Sequence, residues 1–383
     1  MHAPNEFGVS PFAIRHSPLA IRHSPLAIRH SPLAIRYSPL ATRPHASLLT
    51  YIMKRPLSII IPCFNEQATI RLLLDAIYAQ TYPREQIEVI IADGISTDDT
   101  RAEIRAFQQT HPDLNIEVVD NLKRNIPAGL NRAIEAAGGE FIVRLDAHSV
   151  PHNDYVSRCL AALDAGLGDN VGGVWEIQPS EPGWVARSIA AAAAHPLGVG
   201  DASYRVGGQP QAVDTVPFGA FRRALTDRIG LFDETLLSNE DYEFNVRVRQ
   251  SGGTVWMDPA IRSQYFARPN LRALAKQYWR YGYWKLCMLR RFPETFRWRQ
   301  LSGAFVLTWL VLGILAIWFP VAQWLLSAEA IIYSLALAMA GAQTAVKNRD
   351  LAMLVGVPLA IATMHFAWGT AFLWSLLKSV IGD

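Results

Sequence analysis

Three short apolar runs, at 57–61, 87–92 and 140–145, most constrain what this chain can fold into. Each gives way to polar or acidic residues at its C-terminal end: Asn65 and Glu66, then Asp93, then Asp146 with His148. Continuous rather than alternating apolar character marks strands covered on both faces, as in a parallel sheet. Helical patterns fill the gaps. Ile70, Leu73, Leu74 and Ile77 recur at helical spacing within 66–80, with Asn65 as the expected cap and Tyr82-Pro83 as the stop. Gly94 permits a turn, and Thr97 or Thr100 can cap the next helix. A third strand at 116–119 precedes a helix that Pro127 opens and Gly138-Gly139 ends. This βαβαβαβ order predicts right-handed crossovers and a largely parallel sheet. Its carboxyl edge would gather the acidic residues, and in open α/β sheets that edge binds ligands, so a nucleotide and metal site is expected there.

The wording of these segments carries a resemblance. Ile59-Ile-Ile-Pro-Cys-Phe-Asn-Glu66, Ile91-Ala-Asp-Gly-Ile-Ser-Thr-Asp-Asp-Thr100, Asp146-Ala-His148 and Asn239-Glu-Asp241 resemble the ordered motifs of family 2 glycosyltransferases. The match covers roughly 57–292, and Arg144-Leu-Asp-Ala-His-Ser149 with an apolar C-terminal part is most similar to the ExoA-type enzymes of exopolysaccharide synthesis. The resemblance implies an α/β fold of the GT-A type: a nucleotide-diphospho-sugar transferase domain with a Rossmann-like mixed sheet, followed by transmembrane helices. It assigns Asp93, and more weakly Glu66, to the nucleoside of a UDP-sugar, and Asp241 to the general base of an inverting transfer.

Elementary chemistry bears on the same residues. A sugar nucleotide presents a diphosphate, and Mg²⁺ or Mn²⁺ held by a carboxylate such as Asp146 would neutralise the charge that builds as the glycosidic bond breaks. The family usually carries Asp-x-Asp here, whereas this chain has Asp146-Ala147-His148. Neutral imidazole can ligate Mn²⁺, or His148 can meet phosphate instead. An ionised Asp241 can accept the proton of an attacking hydroxyl. Alternatively, Glu240 and Asp241 merely begin a helix at 242–250, where negative charge is favourable.

The middle of the chain says less. The run 213–221 contains a strand-like stretch into Phe218-Gly219-Ala220, which resembles the family's acceptor-side loop, Arg222-Arg223 could meet a diphosphate or water, 190–194 reads as helix, and 198–208 as a mobile loop. Segment 271–300 holds eight Lys or Arg against one Glu, interleaved with aromatic rings, and reads as an interfacial helix on anionic membrane lipids. Within it Gln277-Tyr-Trp-Arg280-Tyr281 resembles the Gln-x-x-Arg-Trp box of polysaccharide synthases with Tyr in place of Trp, which implies contact of Gln277 and Arg280 with the donor. Arg280 could equally contact a lipid headgroup. Apolar stretches at about 303–319, 321–346 and 351–377 approach or exceed the roughly 20 residues that span a bilayer. Lys347 and Arg349, with the basic segment before 303, orient the catalytic part toward the cytosol and the C-terminus outward.

Residues 1–52 are a tandem repeat of the HSPLAIR type whose prolines forbid a heptad helix and whose arginines interrupt any signal core. They read as a disordered leader, with Met53 the natural start. Five arginines there against Glu6 account for the whole positive excess of a chain whose net charge is +3, so charge does not point to nucleic acid. Three cysteines without a CxxC pair argue against a disulfide framework or thiolate zinc. The expected organisation is leader, GT-A domain at 53–270, interfacial helix at 271–300 and membrane region at 301–383. The expected function is transfer of a hexose, with UDP-glucose the expected donor, to an undecaprenyl-type lipid-linked saccharide at the bacterial inner membrane, beside other polysaccharide-assembly proteins. A processive β-glycan synthase and a non-catalytic nucleotide-sugar scaffold are the alternatives. A nucleotidyltransferase would want a glycine-rich basic loop where Pro62-Cys63-Phe64-Asn65 stands.

Overall fold

The computed structural model describes residues 56–297 and 300–381. The repeat leader, Met53 and Trp298 lie outside the described residues. Strand β1 (Leu57–Cys63) pairs in parallel with β2 (Ile87–Asp93) and β4 (Phe141–Arg144), and β2 in parallel with β3 (Asn115–Asp120). Beyond β4 the sheet changes character. β8 (Ala220–Arg222) runs antiparallel to β4 and to β6 (Asn170–Pro179), while β6 lies parallel to the long β9 (Val255–Ala267). Two short strands, β5 (Ser149–Pro151) and β7 (Gln211–Ala212), pair antiparallel with β9. The order β3-β2-β1-β4-β8-β6-β9-β5 is therefore parallel in its first half and mixed in its second. The expectation of a largely parallel sheet holds only where helices cross over between strands.

Alternation along β1 explains the layers. Ile59 and Ile61 face one core with α1 (Ile70–Tyr78), α2 (Thr100–Thr110) and α4 (Tyr155–Asp164). Ile60 faces another with α3 (Ile126–Ala136) and α9 (Glu240–Gln250), as successive side chains of a strand must. Between α4 and α9 come α5 (Trp184–Ala193), two single turns α6 (Pro196–Val199) and α7 (Ser203–Val206), and α8 (Ala224–Ile229).

Several local expectations are corrected. Asn65 does not cap α1, which starts only at Ile70 after a turn closed on the Glu66 carbonyl. Asn65 instead adopts left-handed φ and its Oδ1 accepts from Thr97 N, tying the loop after β1 to the loop after β2. Thr100 opens α2 but does not cap it: Asp98 Oδ1 accepts from its N and Oγ1. Arg222 and Arg223 meet protein, not phosphate. Arg222 pairs with Glu140 and Asp164, and Arg223 donates to the carbonyls of Ile134, Ala137 and Gly139, closing the C-terminal end of α3.

The basic, aromatic segment folds as α10 (Leu271–Arg291) and packs along the last helix rather than lying free. α11 (Ser302–Leu315) is short, whereas α12 (Pro320–Asn348) and α13 (Met353–Ile381) are long and apolar enough to cross a membrane. α13 is one helix through Pro358, not a shorter pair. It packs against α10, α5, α11 and α12, so the apolar helices are joined to the sheet domain. Two backbones meet at Gly282 of α10, where a Cβ would lie 2.2 Å from the Trp368 carbonyl oxygen. Gly282→Ala must push two backbones apart. The detergent-solubilised variant should be destabilised by about 1–3 kcal/mol in thermal unfolding; an unchanged transition would mean that the two helices separate freely.

Candidate active site

The strands deliver the acidic residues to one edge, and the loops that carry them are strained. Asn65, Ile95, Arg124 and Asn239 all have φ between 53° and 67°, a region costly for side chains with a Cβ. They follow β1, β2 and β3 and precede α9, and Arg124 and Asn239 line one cavity of about 950 Å³. That cavity brings together Glu66, Asp146, His148, Asp241, Gln277 and Arg280, which are far apart in sequence.

Arg144 organises its floor. It is the last residue of β4, with a side chain only 5% exposed, and Nη2 donates to Asp146 Oδ1 at 3.2 Å and to Glu240 Oε1 at 3.0 Å. Among the described residues its buried Nη1 has no partner. Asp241 adds a third carboxylate near the same guanidinium. Burial and the Glu240 charge push the Asp241 carboxyl up to about 7, against the opposing pull of Arg144. Asp241 itself is half-buried and lines the cavity.

Glu66 and His148 form a second pair, Nδ1 to Oε1 at 3.0 Å. Burial alone would lower the imidazole's pKa, but the Glu66 hydrogen bond and the charges of Asp146 and Glu66 hold it above its usual value. Glu66 is correspondingly held below the usual carboxylate range: burial opposes this, but the His148 bond and charge and the Thr69 hydroxyl outweigh it. Gln277 Nε2 donates to Tyr265 Oη and Tyr281 Oη, while Arg280 is exposed at the cavity wall.

Asp93 is the exception among the expected site residues. It is fully buried, with Oδ1 accepting from Ser96 Oγ and Oδ2 from Ser96 N and Arg101 Nε. It therefore stands behind the cavity wall and shapes the loop 94–97. Segment 198–208, expected as a mobile loop, instead carries the end of α6 and all of α7 and lines the cavity through Gly198, Tyr204 and Arg205, with Leu197 just before it. Arg144 and Arg268 also line it and were given no role by sequence reasoning. One signal was present for Arg144: an arginine ending an otherwise apolar buried strand has to be paired inside the fold.

The model of glycosyl transferase family 2 matches residues 58–230. A dolichyl N-acetyl-alpha-D-glucosaminyl phosphate 3-beta-D-2,3-diacetamido-2,3-dideoxy-beta-D-glucuronosyltransferase of Methanococcus voltae is 30% identical over 245 residues, covering 61% of this chain and 74% of that protein. The chain belongs to glycosyl transferase family 2. Succinoglycan biosynthesis protein ExoA of Rhizobium meliloti (strain 1021) is 31% identical over 226 residues, 58% of this chain and 67% of that one, in line with the ExoA-type resemblance. The solved mannosyltransferase PcManGT of Pyrobaculum calidifontis, in complex with GDP-Man and Mn²⁺, aligns with a TM-score of 0.57 at 22% identity. That alignment covers 84% of this chain and 94% of the other, so this family member has the GT-A fold with its mixed sheet, followed by apolar helices. The family match ends before Asp241, Gln277 and Arg280.

Proposed function

We propose that this family 2 member is a metal-dependent, inverting glycosyltransferase that moves a hexose, with glucose the expected sugar, from a UDP-sugar to a lipid-linked saccharide in exopolysaccharide assembly. One observation carries the reading: a half-buried carboxylate, Asp241, held near neutrality beside Arg144 in a cavity that runs from the sheet edge to the apolar helices. A binding module has no use for a base so poised.

The residues present fit a divalent cation shared with substrate. Arg144 engages only one oxygen of Asp146, and the His148–Glu66 bond uses only Nδ1, so a carboxylate oxygen and Nε2 remain for a ligand. Among the described residues no group of three or more His, Cys, Asp or Glu could hold a metal by itself. Mg²⁺ or Mn²⁺ bound through one or two side chains and completed by diphosphate oxygens matches that donor set and supplies charge neutralisation at the leaving group. Arg268 and Arg280 line the same cavity and can take diphosphate charge. Asp241 accepts the proton of the acceptor hydroxyl as it attacks the anomeric carbon from the opposite face. A single displacement of that kind inverts the centre. Glu240, held by Arg144, is a positioning residue.

One ion pair supports the proposed membrane topology. Arg187 of α5 meets Asp350 at 3.0 Å, which keeps the loop between α12 and α13 on the catalytic side, with Lys347 and Arg349. On this reading α12 and α13, the two helices long enough to cross, meet on the catalytic side, the 14-residue α11 and the turn after it carry the chain to the start of α12, and the positive-inside rule favours a cytosolic catalytic side at the bacterial inner membrane.

The test is a donor screen with solubilised protein, following nucleoside diphosphate release against added lipid extract and metal. Release from one UDP-sugar only is expected; release from none, with every metal and lipid fraction tried, sinks the reading. Within that assay Asp146→Ala should raise the Mn²⁺ requirement at least tenfold, and His148→Asp should retain activity. A metal dependence untouched by His148→Ala removes His148 from the ligands. Asp93→Ala, which releases Ser96 and Arg101, should weaken UDP binding in calorimetry; unchanged affinity would detach the nucleoside pocket from that loop.

A further inference from the structure

The cavity has a second end. Past the carboxylates it is lined by Phe305, Tyr333, His365 and Trp368 of the C-terminal apolar helices. The joint between the two ends is the segment that carries α6 and α7. His365 meets the Leu197 carbonyl at 2.9 Å and Tyr333 Oη at 3.0 Å, so this segment is fastened to α12 and α13.

Arg205 lies at that joint. It is 9% exposed, and its guanidinium lies 4.8 Å from the ring centre of Trp175, 5.4 Å from Tyr204 and 5.7 Å from Tyr265. No carboxylate pairs with it among the described residues, and its one hydrogen bond runs from Nε to Tyr204 Oη. A buried cation without an anion is costly, and aromatic faces repay only part of that cost. The phenols around it make the same point. Tyr265 Oη and Tyr281 Oη both accept from Gln277, and Tyr204 Oη accepts from Arg205, so each keeps its own O–H to donate. Tyr278 is close enough to feel the same charge. Among the described residues the joint presents one guanidinium and phenol O–H donors, with no carboxylate paired to them. It lies one ring from the donor end, since Tyr265 is 6.3 Å from His148 between ring centres.

An oxygen-rich anion satisfies such a set of donors, and the apolar helices beyond it suit a hydrocarbon tail. We propose that Arg205, with Tyr204, Tyr265, Tyr278 and Tyr281, binds the phosphate of the lipid-linked acceptor and holds it between the carboxylates and the apolar helices. This deepens the glycosyltransferase reading and rests on it. The guanidinium fork and the phenols take phosphate oxygens, the lipid runs toward Phe305 and Trp368, and the sugar end faces Asp241.

Farnesyl diphosphate is the probe, measured by calorimetry on the full detergent-solubilised chain beside inorganic pyrophosphate and UDP with Mn²⁺. The parent should bind farnesyl diphosphate more tightly than pyrophosphate. Arg205→Gln should lose about tenfold or more of that affinity, Arg205→Lys should fall between, and UDP affinity should stay within about twofold in both. Tyr281→Phe, which removes one hydroxyl and leaves the fold, should lose several-fold and carries the test if Arg205→Gln does not fold. Absence of farnesyl diphosphate binding by the parent, or unchanged affinity in the variants, overturns the proposal. Equal binding of pyrophosphate overturns its lipid part, and a parallel loss of UDP reassigns Arg205 to the donor. Failure of the parent to bind UDP at all counts against the glycosyltransferase reading instead, and leaves the farnesyl diphosphate result to be read by itself.

Discussion

Asp241→Asn is expected to cut turnover by about 10²–10⁴, the usual cost of losing a general base, while leaving UDP and metal binding as in the parent. Asparagine keeps the shape of the side chain and can still accept from Tyr242 N, as Asp241 Oδ1 does at 2.7 Å. What it lacks is a site for the acceptor's proton. Glu240→Gln removes a neighbouring charge and should be milder. If Asp241→Asn kept more than about a tenth of parental turnover, a loss well short of that range, the scaffold reading would gain.

The same residue sets a pH dependence in two observables. A base raised to about 7 by burial and by Glu240 must be ionised to work, so kcat/KM should rise with pH through a limb near 7, where an ordinary aspartate would place it near 4. For stability the sign is opposite. Because the folded value exceeds the unfolded one, the native state holds the proton more tightly between about pH 4 and 7, and stability falls as pH rises through that window. Asp241→Asn removes this penalty. At pH 8 the inactive variant should be more stable than the parent by about 1–3 kcal/mol, the cost of an ill-satisfied buried group, and near pH 4 the gain should vanish. Destabilisation at pH 8 would show that the carboxylate is comfortable where it is.

The half of the fold that was legible in the sequence is the half built from local rules. β1, β2 and β4 are continuous apolar runs, and α1 shows its buried stripe at Ile70, Leu73, Leu74 and Ile77. β6 and β9 gave no such signal. β6 passes from fully buried positions into a half-exposed stretch, and β9 carries Pro259 and Arg262 and pairs with three different strands. Their register is set by tertiary contact, which no window of sequence contains. The site divides in the same way. Asp146, His148 and Asp241 announced themselves as polar residues at element ends, and the cavity does unite them. Arg205 and Tyr265 did not, because a lone arginine in a glycine-rich loop and a tyrosine in an edge-like strand acquire chemistry only when folding stacks them around Trp175. Asp93 shows the converse: motif order assigned it to ligand, but the fold encloses it with Ser96 and Arg101.

The second large effect is expected at Arg144. Its guanidinium is the nearest positive charge to Asp146, Glu240 and Asp241, and its side chain is almost wholly enclosed. Arg144→Met leaves Asp146, Glu240 and Asp241 without the guanidinium that lies among them. Breaking a buried pair by removing one partner costs about 3–5 kcal/mol, so the solubilised variant should unfold well below the parent at pH 8. The deficit comes from like charges held together, so it should shrink as pH falls below 7 and Asp241 takes up its proton. Adding Glu240→Gln removes the most buried of the stranded carboxylates and should recover part of the loss, giving a coupling of about 0.5–3 kcal/mol in a double-mutant cycle. Turnover distinguishes this charge role from simple packing. Without Arg144 the Asp241 carboxyl keeps the Tyr242 N–H but loses the positive charge that favours its ionised form, and the acid limb of kcat/KM should move above its parental position near 7. A variant equally destabilised at every pH, with the limb unmoved, would reduce Arg144 to a space-filling role and remove the electrostatic link between the end of β4 and the start of α9.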